Sequence, residues 1–256
     1  MAGFLKWPDQ NRKADLAHQP DGRMQKLDYV AEDYSINSPS VGLIVLQTDE
    51  VMEDELRYWL PDSMRIFHTR IPNAANVTPD TLSAMANDLP NVVSLLPLEN
   101  AFDVIVYGCT SASTVIGEER VTELVRKVIP GVAVTNPLTA VKAQLDDLGA
   151  KRIGLLTPYI PSVSLALQEK LQDHGVTVTA AASFHEENDH QVCRISAESI
   201  SRAIVDLGSN DDVDAVFASC TNLRLKTILD DVSETIGKPV ISSNSALAWH
   251  VQQLAL

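Results

Sequence analysis

The segment Asp103-Val104-Ile105-Val106-Tyr107-Gly108-Cys109-Thr110-Ser111 decides how this chain is read, because it recurs as Asp214-Ala215-Val216-Phe217-Ala218-Ser219-Cys220-Thr221-Asn222. In each copy an acidic residue opens a short apolar run, a small residue closes it, and a Cys-Thr pair follows. Such a run, bounded by small and polar residues, fits a strand buried in a parallel sheet. Each cysteine then falls at a strand's carboxyl end, where open α/β sheets hold their ligands. The Cys-Thr pair reads as a helix N-terminus in both copies. Unpaired N–H groups and the helix dipole there favour a thiolate, and the same groups can hold a carboxylate. A buried core role for a cysteine accounts for one copy but not for the pairing.

Outward from these segments, the first half reads as a strand at 41–46, a loop Gln47-Thr48-Asp49 and a helix at 50–60 with acids in its first turn and Pro61 ending it. A strand at 64–71 and a helix at 78–88 follow, the helix capped by Thr78 with Pro79 at its first position. Beyond Cys109 come a helix at 118–128, a strand at 131–134, and a helix opened by Asn136-Pro137-Leu138-Thr139 that runs to Leu148 and stops at Gly149. The pattern then restarts. Arg152-Ile153-Gly154-Leu155-Leu156 mirrors Ser40-Val41-Gly42-Leu43-Ile44, and Pro158-Tyr159-Ile160-Pro161 replaces the loop of Asp49. Helices at 165–174, 196–207 and 225–236 and a strand at 176–182 complete the second half. Pro239-Val240-Ile241-Ser242 followed by Asn244-Ser245-Ala246-Leu247 matches Val132-Ala133-Val134-Thr135 followed by Asn136-Pro137-Leu138-Thr139. Four elements recurring in order at a spacing of about 110 residues indicate an internal duplication.

The fold class is therefore α/β, with two pseudo-symmetric lobes, each a short parallel sheet flanked by helices, and an active site in the cleft between them. The expected organisation is a flexible extension at 1–36, a first lobe at 37–149 with Cys109, and a second at 150–256 with Cys220, its terminal helix free to pack on the first lobe. Trp7, Tyr29 and Tyr34 are the residues able to pin the extension onto the body or a partner subunit.

With 20 Lys plus Arg against 34 Asp plus Glu, the formal charge of −14 argues against nucleic acid or anionic lipid as a partner. No apolar run has membrane-spanning length and the polar start lacks a signal-peptide core. Three scattered cysteines make no disulfide framework, so a cytoplasmic chain with reduced thiols is expected. The run His185, Glu186, Glu187, Asp189, His190 follows no zinc spacing and reads as a solvated loop; no metal is expected. No phosphate loop is present, so no cofactor is expected. Cys193, without a repeat partner, and His68 and His250, on apolar elements, read as structural.

The two cysteine segments and Thr157-Pro158-Tyr159 resemble the Asp/Glu racemase superfamily over residues 40–256, in the branch of maleate cis-trans isomerase, arylmalonate decarboxylase and ectoine-utilisation protein A. The resemblance implies a cofactor-independent enzyme with Cys109 and Cys220 as catalytic cysteines. Thr110, Ser111, Thr221, Asn222 and Tyr159 would bind a small carboxylate substrate, and Asn136 would line the cleft. Association of copies of the chain, a homo-oligomer, is expected too. The decarboxylase keeps only the second-lobe cysteine, so Cys109 argues against its reaction.

Asp49 departs from the pattern, since maleate isomerases align an asparagine there. A carboxylate at that point would repel a second substrate carboxylate and suit an ammonium or amide group; it would also cap the following helix. Gln47-Thr48-Asp49-Glu50 looks more like the ectoine-utilisation branch, whose substrate would be amino-acid-like. Two routes stay open: a two-base racemisation through one thiolate and one thiol, or thiolate attack on a carbon-carbon double bond. Decarboxylation through Cys220 alone, and a two-lobed binding protein without chemistry, are the competing readings.

Overall fold

The apolar runs form the central strands of two parallel sheets with the same strand order. In the first half the elements are β1 (Ser40–Leu46), α1 (Met52–Trp59), β2 (Arg65–Ile71), α2 (Pro79–Ala84), α3 (Leu89–Val93), β3 (Val104–Gly108), α4 (Thr110–Ile116), α5 (Glu118–Arg126), β4 (Ala133–Thr135) and α6 (Pro137–Asp147). In the second they are β5 (Arg152–Thr157), α7 (Pro161–Asp173), β6 (Thr177–Ser183), α8 (Asp189–Val192), α9 (Ala197–Gly208), β7 (Ala215–Ala218), α10 (Leu229–Ile236), β8 (Val240–Ser242) and α11 (Ser243–Ala255). The sheets run β2-β1-β3-β4 and β6-β5-β7-β8. The computed structural model describes Met24, residues 26–31 and residues 38–256; Trp7 and Tyr34 lie outside the described residues, and Tyr29 is exposed. Among the described residues no helix is long and apolar enough to cross a membrane.

Ladder register tests the duplication residue by residue. Gly42 pairs with Ile105 and Ile105 with Val134; Gly154 pairs with Val216 and Val216 with Val240. With Gly42 and Gly154 equivalent, Cys109 and Cys220 occupy equivalent positions, each four residues past its paired strand residue. The same register makes Asn136 equivalent to Ser242, not to Asn244 as the sequence match suggested. Both are helix caps: the Asn136 side chain accepts from the Thr139 N–H and the Ser242 hydroxyl from the Ser245 N–H. Function as a cap, which asparagine and serine share, explains why the eye slides to the nearby asparagine.

Gly108 shows why a small residue must precede the cysteine. A β-carbon there would lie 2.4 Å from the Met52 sulfur and 2.8 Å from the Ile44 carbonyl oxygen. Its equivalent, Ser219, is fully buried.

The second departure is at Cys220, where no helix starts; α10 begins only at Leu229. The N–H groups of Leu225 and Lys226, which a helix from Thr221 would use internally, both donate to Glu55 Oε1, at 2.6 and 2.7 Å. Glu55 lies on α1 of the first half and is 2% exposed. Its Oε2 accepts from Asn244 Nδ2 at 2.8 Å, and the same amide donates to the Thr221 carbonyl at 2.8 Å. A single carboxylate thus holds the Cys220 loop and the start of α11 against α1.

Other contacts join the halves. Helix α11 packs on α6 and α1, and Thr135 Oγ1 lies 2.8 Å from His250 Nδ1. The loops after β2 and β6 meet through the Asn76–Asn188 bridge, with Val77 N–H donating to the Glu187 carbonyl and Asp189 N–H to the Ala75 carbonyl, both at 3.0 Å.

Removal of the Glu55 carboxylate strands three donors, two of them buried, at a cost of about 2–4 kcal/mol. Urea unfolding of Glu55→Ala should show this loss, while Glu198→Ala, at an exposed position of α9, stays within about 0.5 kcal/mol of the parent. Equal stability of the two variants would contradict the pinning role.

Candidate active site

Both cysteines sit at strand carboxyl ends, as their sequence context requires, but their local backbones differ. Cys109 is the N-cap of α4, with extended backbone, and its sulfur accepts from the Ala112 N–H at 3.3 Å. The Ser111 hydroxyl is 3.5 Å from the same sulfur. Cys220 instead has a positive φ of 132°, a conformation that costs a non-glycine residue on the order of 1–3 kcal/mol and persists only where its surroundings enforce it. Here the enforcement is visible: Cys220 N–H donates to Ser243 Oγ at 3.0 Å, Ser219 N–H to the Leu156 carbonyl at 2.8 Å, and Asn222 N–H to the Cys220 sulfur at 3.4 Å.

The two loops interlock. Thr110 Oγ1 lies 2.8 Å from Ser243 Oγ, the atom that holds the Cys220 N–H. In return Thr221 Oγ1 donates to the Gly108 carbonyl across a long 3.5 Å contact. Tyr159, buried, places its hydroxyl 3.3 Å from Ser219 Oγ and senses charge on both Cys220 and Cys109. Asn222 bridges outward: its Oδ1 accepts from the Glu50 N–H at 3.0 Å and its Nδ2 donates to the Asp189 carbonyl at 2.9 Å. The structure therefore brings Cys109, Cys220, Thr110, Ser111, Tyr159, Thr221 and Asn222 together. Asn136 is not hydrogen-bonded to either cysteine loop. Its amide caps α6 and donates to Thr139 Oγ1, which passes on to Glu118.

Asp49 caps and also faces the site. Helix α1 starts at Met52, two residues later than the acidic pattern suggested, and Asp49 Oδ1 accepts from the Val51 and Met52 N–H groups, each at 2.8 Å. Its Oδ2 is buried without a hydrogen-bond partner among the described residues. Burial raises its pKa, against the pull of the Met52 and Val51 amides and the neighbouring Thr221 hydroxyl.

Asp189 is the residue that sequence reasoning passed over. Placed among a polar run taken for a solvated loop, it is 5% exposed and its Oδ2 accepts from Thr48 Oγ1 at 2.5 Å. Burial raises its pKa, opposed by Thr48 and Asn222. The available signal was position: the run follows β6, so it lies on the edge that carries the strand ends. Ser243 and Glu55 were also missed, the former because the sequence match aligned Asn244 with Asn136 and passed over it, the latter because an acid in a first turn reads as a dipole partner. Cys193 is buried beside this segment, with its thiol 3.5 Å from the His190 carbonyl. No group of three or more His, Cys, Asp or Glu among the described residues is arranged to hold a metal ion.

Burial overrides the helix-terminus effect expected at the thiols. Cys109 is pushed from 9.0 up to about 12, chiefly by burial, with the Ser111 and Ala112 donors pulling it down and Asp189 and Asp49 pushing it further up. Cys220 is raised well above 9.0 by burial, then by Asp189, with the Asn222 amide opposing. Charge on Cys109 raises it further, which places the two sulfurs within electrostatic reach of each other. The folded chain then keeps protons that the unfolded chain releases. The thiols' contribution to stability is full below about pH 8.5 and falls as pH rises toward their folded values. Unfolding free energies measured from about pH 8 to about pH 11 should decline less in a Cys109→Ser, Cys220→Ser protein than in the parent; parallel declines would contradict the raised thiol values.

The arylmalonate decarboxylase family model matches residues 41–256. Maleate isomerase of Alcaligenes faecalis is 24% identical over 230 residues, covering 84% of this chain and 88% of the relative. Arylmalonate decarboxylase of Bordetella bronchiseptica is 25% identical over 223 residues, covering 86% and 91%. A solved mutant of Nocardia farcinica maleate cis-trans isomerase with a covalently bound succinylcysteine intermediate superposes with a TM-score of 0.76 at 23% identity, covering 84% of this chain and 91% of that one. The family match spans both cysteine loops, both sheets and the terminal helix that locks them: this chain belongs to the arylmalonate decarboxylase family, whose relatives named here include isomerases as well as a decarboxylase.

Proposed function

We propose that the chain is a cofactor-independent isomerase or racemase of a small carboxylate, either dicarboxylic or amino-acid-like, and that Cys109 and Cys220 perform the chemistry. The observation that carries this reading is the pair of register-equivalent thiols, each almost closed from solvent, with Cys220 held within electrostatic reach of Cys109. A binding protein has no need of two such groups, and a strained backbone at one of them is a cost that function repays.

In racemisation one sulfur removes the proton beside the carboxylate while the other returns it on the opposite face. A thiol held near 12 is seldom ionised at neutral pH, yet its thiolate is a correspondingly stronger base toward a carbon acid. Negative charge then develops on the substrate carboxylate, where the hydroxyls of Thr110, Ser111, Thr221 and Tyr159 and the Asn222 amide are the donors available to hold it. In cis-trans isomerisation a thiolate adds to the double bond, the new single bond rotates, and the thiolate is expelled. The succinylcysteine of the Nocardia farcinica structure supports that covalent route as the first alternative. Both steps use the same residues. The likeness of the Asp49 loop to the ectoine-utilisation branch favours an amino-acid-like substrate, with ectoine catabolism as the setting.

Proton NMR in D2O with maleate, aspartate and diaminobutyrate derivatives tests this. Deuterium entering a substrate carbon, lost by at least about 100-fold in Cys109→Ser and in Cys220→Ser, is the racemase result; maleate turning into fumarate is the isomerase result. Full turnover by the doubly substituted protein would refute the proposal.

A further inference from the structure

We propose that Asp49 and Asp189 together form an ammonium-binding subsite beside the two thiols, so that the substrate carries an amino group as well as a carboxylate. This rests on the carboxylate reading above and assigns a role to Asp189, a residue no sequence pattern had marked.

Asp49 Oδ1 is saturated by the Val51 and Met52 amides, whereas Oδ2 is buried and makes no hydrogen bond among the described residues, with the Thr221 hydroxyl as its nearest donor neighbour. A cap needs only the first oxygen, and a buried polar atom without a partner calls for one. Asp189 is the nearby second acid: its carboxylate accepts from the hydroxyl of Thr48, the residue before Asp49, and charge on it raises the pKa of Asp49 and of both thiols. Its segment is tied to the site from two sides, by Thr48 on its carboxylate and Asn222 on its carbonyl.

Among the described residues, no Lys, Arg or His forms an ion pair with either carboxylate. The basic groups nearest in sequence to Asp189, His190 and Arg194, are half exposed and face Glu50. Arg70, beside the Asp49 loop, donates to the Leu46 and Asp49 carbonyls and pairs with Glu53. Two buried acids without an ion-pair partner among the described residues would repel a dicarboxylate's second anion and favour a cation. An ammonium, with three donors in a compact head, suits the Asp49 oxygen and the Asp189 carboxylate. The hydroxyls of the cysteine loops remain for the substrate carboxylate, so the two ends of an amino acid are recognised by opposite chemistries. That arrangement fixes which face of the α-carbon each sulfur meets.

Calorimetric titration of the full chain with aspartate, glutamate and 2,4-diaminobutyrate, each against its counterpart lacking the 2-amino group (succinate, glutarate and 4-aminobutyrate), tests the subsite without requiring turnover. At least one amino member should bind ten or more times tighter than its counterpart, about 1.4 kcal/mol. Asp49→Asn keeps the capping oxygen and should abolish that preference, and Asp189→Asn should reduce it. Equal or tighter binding of the counterparts, no binding of any amino member, or a preference that survives Asp49→Asn would each overturn the proposal. Because binding is read separately from deuterium exchange, loss of the thiol mechanism and loss of the subsite give different results.

Discussion

The Glu55 carboxylate is the constraint on which the two-lobed arrangement depends. It stands on the first half's α1, is buried, and accepts from two amides of the Cys220 loop and from Asn244 at the start of α11. Burial raises its pKa and those three donors oppose the rise, the balance expected of a carboxylate taken from water and resupplied with hydrogen bonds. Since Asn244 also holds the Thr221 carbonyl, the strained Cys220 backbone is supported by both halves at once. Pseudo-symmetry places two cysteines at equivalent sheet positions, and Glu55 breaks that symmetry so that one cysteine caps a helix while the other sits in a pinned loop.

The electrostatic character of the site follows from the same burial. Asp49, Asp189 and Glu55 are all shifted toward their neutral forms, and both thiols are shifted upward. Among the described residues no basic group makes a hydrogen bond to the sulfur of Cys109 or Cys220; Arg194 reaches Cys193 instead. Burial beside these acids keeps both thiols protonated at neutral pH. It also makes the identity of the ligand's charged groups decisive, since the protein supplies few countercharges of its own.

Much of this architecture is legible in the sequence, for identifiable reasons. The Asp103 and Asp214 segments are apolar enough to be buried strands in any context, and Thr78, Asn136 and Ser196 cap the helices they precede. The Cys109 loop was readable because its chemistry is local: a thiol, a turn and a helix start. The Cys220 loop was not, because its conformation is set by Glu55, 165 positions earlier and on another helix, and long-range pinning leaves no periodic trace. Asp189 escaped for a related reason. Its burial comes from Thr48 and Asn222 meeting it from two other loops, while its own chain neighbours, half-buried Asn188 and exposed His190, are polar. The thiol pKa directions were misread because helix-terminus effects are visible in sequence and depth of burial is not.

The claim that the two cysteine loops meet over a single substrate is tested most directly with a bifunctional thiol reagent, dibromobimane, followed by peptide mass spectrometry. The account predicts one bimane bridging the Cys109 and Cys220 peptides, with bridging suppressed by a tightly bound carboxylate. Separate labelling of the two cysteines by independent reagent molecules, with no bridged peptide, would contradict it.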